Sequence, residues 1–244
     1  MIALITGAGR GIGRAIAKAV AKKGIHVILV ARSENEIKKV AEEIISDGGK
    51  ATPFTCDITD SRSVTSLYSE TRSIGTIDIL INNAGIAPSR KIEDTNDEVW
   101  EDTFAVNVDG AFFLIRTYLP DMKSSKNGQI INIASTAAVE GFSYTAAYTA
   151  SKHALIGLAR AVAKETSRHN IKVSTICPGF VRTNILESGI TNIQNRTGKS
   201  RVEAEEELSA MNRSGKIIEP EEVAEAVLKE IDSPLEPNGR EIIM

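Results

Sequence analysis

Apolar residues alternate between two patterns along the chain. Short runs that are apolar nearly throughout, IALIT (2–6), HVILVA (26–31), ATPFTC (51–56), IDILIN (77–82), QIINIA (129–134), KVSTIC (172–177) and REIIM (240–244), predict strands covered on both faces. Longer stretches between them carry their apolar residues on one side at helical spacing. In EIKKVAEEIISDGG, Ile37, Val40, Ala41, Ile44 and Ile45 share a face before Gly48 ends the helix. Strands alternating with helices predict an α/β fold, a doubly wound seven-stranded parallel sheet in a single domain over 1–244. Residues 184–217 interrupt the alternation with polar, helical sequence. There Ser200 and Glu203 read as a capping box, with Ala204, Leu208 and Met211 along one side. An insertion at this point falls at the carboxyl end of the sheet, where such folds bind ligands, and reads as a small helical lid.

Composition narrows the field. The formal net charge is −3 over 244 residues, with no basic excess to recruit nucleic acid. The two cysteines, Cys56 and Cys177, lie at the ends of strand-like runs, without metal-ligand spacing, and read as buried free thiols in a reducing compartment. The apolar start runs directly into glycines without a basic leader, and no apolar run could span a bilayer. The expectation is a cytoplasmic protein with no membrane partner.

The first strand leads into TGAGRGIGRAIA, with glycines at 7, 9, 11 and 13. Strict G-x-G-x-x-G spacing is met from neither Gly7 nor Gly9, yet a glycine-rich turn between strand and helix lets a ligand approach the backbone. The helix start, near Ile12, then offers N–H groups to a diphosphate. About twenty residues on, where a carboxylate would bind the ribose hydroxyls of NAD, the chain has Ala31, Arg32 and Ser33. Arginine suits a 2′-phosphate, and Arg10 is a second candidate cation, so the pattern favours NADP.

A further pair stands out in AAYTASKHAL (146–155), where Tyr148 lies one helical turn before Lys152. Such a pair on its own fits a wet helix surface equally well. Taken in order, TGAGRGIG, CDIT (56–59), NNAG (82–85), Asn107 in VNVDG, Ser135 in INIAS, Tyr148, Lys152 and PGFVRT (178–183) resemble the motifs of the short-chain dehydrogenases/reductases over almost the whole chain. The resemblance implies a Rossmann-type fold and a nicotinamide cofactor. It implies that Asp57 and Ile58 meet the adenine and that Asn83, Ala84 and Gly85 run along the cofactor. Pro178, Gly179, Val181 and Thr183 would meet its nicotinamide end. Tyr148 would be the proton donor to a carbonyl oxygen, Ser135 would hydrogen-bond that oxygen, Lys152 would bind the cofactor ribose, and Asn107 would hold a relay water. Bringing a phenol from about 10 to near 7 takes roughly 4 kcal/mol of preferential stabilisation of the phenolate, for which the Lys152 ammonium is one source.

By family position Val139, Phe142, Tyr144, Phe180, Ile86 and Ala87 face the substrate, with Ile185, Leu186, Ile190 and Ile193 added from the lid. A mostly apolar lining suits an acyl chain or a ring ketone better than a sugar. Arg196, Lys199 and Arg201 read as a solvated charged face or as contacts for coenzyme A or carrier-protein phosphates. The resemblance is greatest to 3-oxoacyl-thioester reductases. A reductase or dehydrogenase of a small or cyclic ketone or secondary alcohol is the alternative enzyme, and a non-catalytic NADP(H)-binding redox sensor is the alternative of another class. The family also implies a homotetramer or homodimer built on the helices near 97–125 and 147–169.

Overall fold

The computed structural model describes every residue except Pro237. Seven strands form one parallel sheet in the order β3-β2-β1-β4-β5-β6-β7. They are β1 (Ile2–Thr6), β2 (His26–Ala31), β3 (Ala51–Thr55), β4 (Ile79–Asn82), β5 (Gly128–Ile133), β6 (Ile171–Cys177) and β7 (Arg240–Ile243). Pro53 falls in β3, an edge strand, where a missing N–H costs least.

Both faces of the sheet are covered, which is why the strands read as apolar throughout. Ala3, Ile5, Ile79, Ile81 and Ile131 pack against α1 (Gly11–Lys22), α2 (Glu34–Ser46) and α9 (Pro220–Asp232). Leu4, Leu80, Ile130 and Val173 point to the opposite face, against α3 (Ser61–Thr71), α5 (Gly110–Ser125) and α6 (Ala146–Thr166). In α2 the expected apolar stripe is buried at Ile37, Val40, Ala41 and Ile44, but Ile45 is 56% exposed because it sits at the stripe's edge.

The stretch expected as one helix near 97–125 divides into α4 (Asp97–Phe104), a π-helical turn (Ala105–Asp109) and α5. The interruption lets Gly110 approach Ile58, where a Cβ would meet the isoleucine side chain at 2.6 Å. Residues 184–217 form α7 (Asn184–Thr197) and α8 (Arg201–Met211), and the Ser200–Glu203 capping box is present. Ala204 and Leu208 are buried there, whereas Met211 is half exposed at the end of α8. Among the described residues no helix is long and apolar enough to cross a membrane.

One buried charge fastens α9 to the sheet. Lys172 of β6, 3% exposed, donates to the carbonyls of Glu230 and, at 2.8 Å, of Ser233, with Ile231 O at 3.4 Å. These are carbonyls at a helix end, where intrahelical partners run out. Arg240 of β7 holds the Glu230 carboxylate at 2.9 Å. Lys172→Met removes the shared donor, and the expected result is a loss of about 3 kcal/mol in stability, read from urea unfolding.

Candidate active site

The order of strands reverses beside β1, and the carboxyl ends of β1 and β4 open there into a cleft of about 900 Å³. The loops at this point are tied by one hydroxyl. Thr6 Oγ1 accepts the N–H groups of Asn83 and Ala84, both at 3.0 Å, while Asn83 Nδ2 donates to Thr6 O at 2.8 Å. α1 begins at Gly11 (φ 50°), preceded by Arg10 in an extended conformation with no side-chain cap. The first N–H groups of α1 therefore remain free for a ligand. A Cβ at Gly13 would lie 2.2 Å from Gly7 O, so only glycine lets the helix start so close to the loop.

The structure brings Gly7, Gly9, Arg10, Gly11, Ile12, Gly13, Arg32, Ser33, Asp57, Ile58, Asn83, Ala84, Gly85, Tyr148, Lys152 and Thr183 together along this cleft. Burial works to raise the Asp57 carboxyl, but two bonds from Thr59 (3.0 and 2.8 Å) and the Arg32 charge hold it below the usual carboxylate range. Arg10, the second candidate cation, already has a carboxylate neighbour. Its guanidinium lies 3.5 Å from Glu36, an α2 residue that also lines the cleft.

At the other end, β5 and α6 bring the polar residues together. Ser135 caps a short 3₁₀ turn, Thr136–Ala138, its Oγ accepting Ala137 N–H at 3.1 Å. Tyr148 lies near the start of α6 and Lys152 one turn further, its ammonium 5.8 Å from the phenol ring centre and donating to Ile133 O at 2.9 Å. The expected depression of the phenol is absent in the chain itself: burial pushes Tyr148 up, the Ser135 hydroxyl opposes this, and Lys152 is not among its leading perturbers. Burial instead brings Lys152 down to about 8, opposed by Cys177. The lysine is the group tuned toward neutrality here.

Asn107, 1% exposed in the π turn, accepts Ile86 N–H at 2.9 Å and donates to Ile86 O and Ser151 Oγ, each at 2.9 Å. Ser151 in turn donates to Tyr148 O at 2.7 Å. Ser151 and Thr6 join the site's parts but carry no chemistry, so sequence reasoning passes over them. Asn212 is a third such residue. Its Oδ1 accepts Phe180 N–H at 2.7 Å and its amide donates to Phe180 O at 3.0 Å, clamping the PGFVRT loop from the end of α8. A Cβ at Gly179 would fall 2.1 Å from that amide.

Other expected site residues are outside the cleft's immediate lining. Asn107, Ser135, Pro178, Gly179 and Val181 are among these, as are Val139, Phe142 and Phe180, although the Ser135 hydroxyl bonds Tyr148, which does line the cleft. Val139 packs with Ala134, Ala138 and Leu155, and Phe142 meets Phe180 edge-on at 6.0 Å. Ile86 and Ala87 do line the cleft. From α7 only Asn184, Ile185 and Ser188 reach it, because Leu186 and Ile190 turn onto Ala204, Leu208 and Ile217, with Ile193 packed alongside. The lid cations are engaged too: Arg201 grips Glu187 at 2.7 and 2.8 Å, Lys199 meets Glu207 at 2.6 Å, and Arg196 covers the Tyr144 ring at 4.5 Å.

The backbone fits a dinucleotide along this groove. The uncapped start of α1 suits a diphosphate, and a Cβ at Gly85 would press within 3.5 Å of Lys152 Nζ, so glycine keeps that ammonium approachable. Comparison with known proteins agrees. Residues 1–193 match the short chain dehydrogenase family model. The chain is 34% identical over 229 residues to a Streptomyces coelicolor protein assigned as a ketoacyl reductase, spanning 93% of this chain and 88% of that one. It is 33% identical over 215 residues to the 3beta-hydroxysteroid dehydrogenase of Mediterraneibacter gnavus, spanning 87% and 78%. A variant actinorhodin polyketide ketoreductase with NADPH superposes with a TM-score of 0.95 at 31% identity, over 100% of this chain and 95% of that one. The L-sorbose reductase of Gluconobacter frateurii, with NADPH and L-sorbose, gives 0.92 at 28% identity, over 100% and 94%. The chain is an oxidoreductase belonging to the short-chain dehydrogenase family.

Proposed function

We propose that the protein reduces a ketone to a secondary alcohol with NADPH, its substrate being a 3-oxoacyl thioester carried on coenzyme A or a carrier protein. The observation that carries this reading is the meeting of Tyr148 and Lys152 with a groove whose far end holds Arg32 and no carboxylate at the end of β2. Solved relatives with NADPH and a ketoacyl reductase among similar sequences support it.

Bound NADPH supplies the hydride that the carbonyl carbon receives. Tyr148 gives its phenolic proton to the carbonyl oxygen, so its elevated proton affinity in the free chain keeps it in the donor form. Ser135 donates a hydrogen bond to the same oxygen and stabilises the charge that develops there. Lys152 binds the ribose and returns a proton toward Tyr148. The Asn107 side-chain amide is already committed to Ile86 and Ser151, and in this reading Asn107 holds the relay water behind Lys152. Asn83, Ala84 and Gly85 line the cofactor's path, with Asp57 and Ile58 at its adenine. Pro178, Gly179, Val181 and Thr183 form the loop that meets its nicotinamide end.

α7 and α8 act as a lid over a single domain. Their apolar side chains mostly face one another, so the acyl portion meets Ile86, Ala87 and Ile185 rather than Leu186 or Ile190. A homotetramer in the cytoplasm completes the reading. Trp100 (42% exposed) stacks on Phe104 at 4.8 Å, and Phe112 (39% exposed) lies under Arg116, forming an outward aromatic face on α4 and α5 suited to a second copy.

Purified protein given acetoacetyl-CoA should oxidise NADPH faster than NADH. Tyr148→Phe should lower kcat by roughly 100- to 10,000-fold. Oxidation of NADPH with small ketones only would replace the thioester as substrate, and tight NADPH binding without turnover would favour the redox sensor. The lysine also sets a pH limb. Lys152, at about 8, is protonated below that pH and neutral above it, so kcat/KM for reduction should fall as pH rises through about 8. A flat profile from pH 6 to 9 would remove Lys152 from the proton path.

A further inference from the structure

The cofactor cleft has an acid where a phosphate reader would have none. Glu36 is the third residue of α2, at the edge of the groove near Arg32 and Ser33. Its carboxylate lies 3.5 Å from the Arg10 guanidinium. It also packs onto the glycine loop, since a Cβ at Gly9 would fall 2.7 Å from Glu36 Cβ and 2.9 Å from its Oε2. The other acid lining the cleft, Asp57, is occupied by both Thr59 donors. Glu36 thus touches the loop and holds the cation that would otherwise turn to an incoming anion.

A 2′-phosphate brings a second negative charge into this corner. It must draw Arg10 away from Glu36 or bind beside an uncompensated carboxylate, and either lowers its affinity. An unphosphorylated ribose pays neither cost. We propose that Glu36 is a specificity-determining residue: by engaging Arg10 it weakens the preference for the 2′-phosphorylated cofactor and leaves Arg32 as its principal reader. This rests on the reading of Arg32 as a phosphate ligand. The effect is of surface-electrostatic size, roughly 2- to 5-fold in affinity, because the pair is half exposed and solvent screens it.

Calorimetric titration with 2′,5′-ADP and with 5′-AMP tests the proposal apart from turnover. Glu36→Gln keeps the size of an exposed side chain and should tighten 2′,5′-ADP by roughly 2- to 5-fold while leaving 5′-AMP unchanged. Arg10→Gln should cost little affinity for 2′,5′-ADP in the native background and several-fold more beside Glu36→Gln, because only there is the arginine released. Unchanged or weakened 2′,5′-ADP binding in Glu36→Gln overturns the proposal, as does strict additivity of the two substitutions. Parallel loss of both ligands also overturns it, since Glu36 would then only shape the loop. Failure of the underlying reading is distinct: Arg32→Gln would leave the ratio of 2′,5′-ADP to 5′-AMP affinity unaltered, whatever Glu36 does.

Discussion

The hydroxyl of Thr6 is the joint on which the cleft depends. A parallel sheet returns every strand to the same rim, so the loops after β1 and β4 must pass each other with their backbone groups satisfied. Thr6 takes two N–H groups from the β4 loop, and Asn83 answers with its amide on the β1 loop. The glycine turn is thereby held against Asn83 and Ala84, and the start of α1 faces the groove uncapped. A second joint, Asn107 to Ile86 and Ser151, fixes the same β4 loop to α6 and so to Tyr148 and Lys152. Two small polar networks therefore set the distance between the cofactor groove and the chemistry.

Much of this was legible in the sequence for plain physical reasons. Strands buried on both faces must be apolar throughout, and all seven lie where such runs predict, within about two residues at each end. The capping box at Ser200 marks its helix because its two partners are local. What escaped was non-local. No spacing shows that α4 and α5 are separated by a π turn, or that Ser151 and Asn212 bond to loops 44 and 32 residues away in sequence. Arg10 was legible as a candidate cation, but its pairing with Glu36 across a glycine turn was not.

The Tyr148–Lys152 pair shows why adjacency alone decides little about proton affinity. Both groups are buried, and burial acts in opposite directions on a neutral acid and a cationic one. Burial holds the phenol above its ordinary value and brings the ammonium down to about 8, so the two affinities separate and the lysine is the first of the pair to give up its proton. A donor that holds its proton until the carbonyl oxygen becomes basic, backed by a lysine near neutrality, is arranged for reduction. The Ile133 carbonyl keeps the ammonium in place meanwhile.

Helices α7 and α8 make the complementary point about apolar patterns. An amphipathic face says that a surface is covered, not what covers it. Leu186 and Ile190 resemble a pocket lining, yet α8 supplies Ala204 and Leu208 to meet them, so the two helices form a small core of their own. That core is fastened to the rim by polar links, Asn212 to Phe180 and Arg182 to Glu205 and Glu219, each at 2.9 Å in the arginine's case. Apolar packing within the unit and polar fastening at its base favour movement of α7 and α8 as one body, since a hinge through the core would expose Leu186 and Ile190 to water. The side chains left facing the groove from these two segments include Ile86 and Ala87 from the β4 loop and Ile185 and Ser188 from α7.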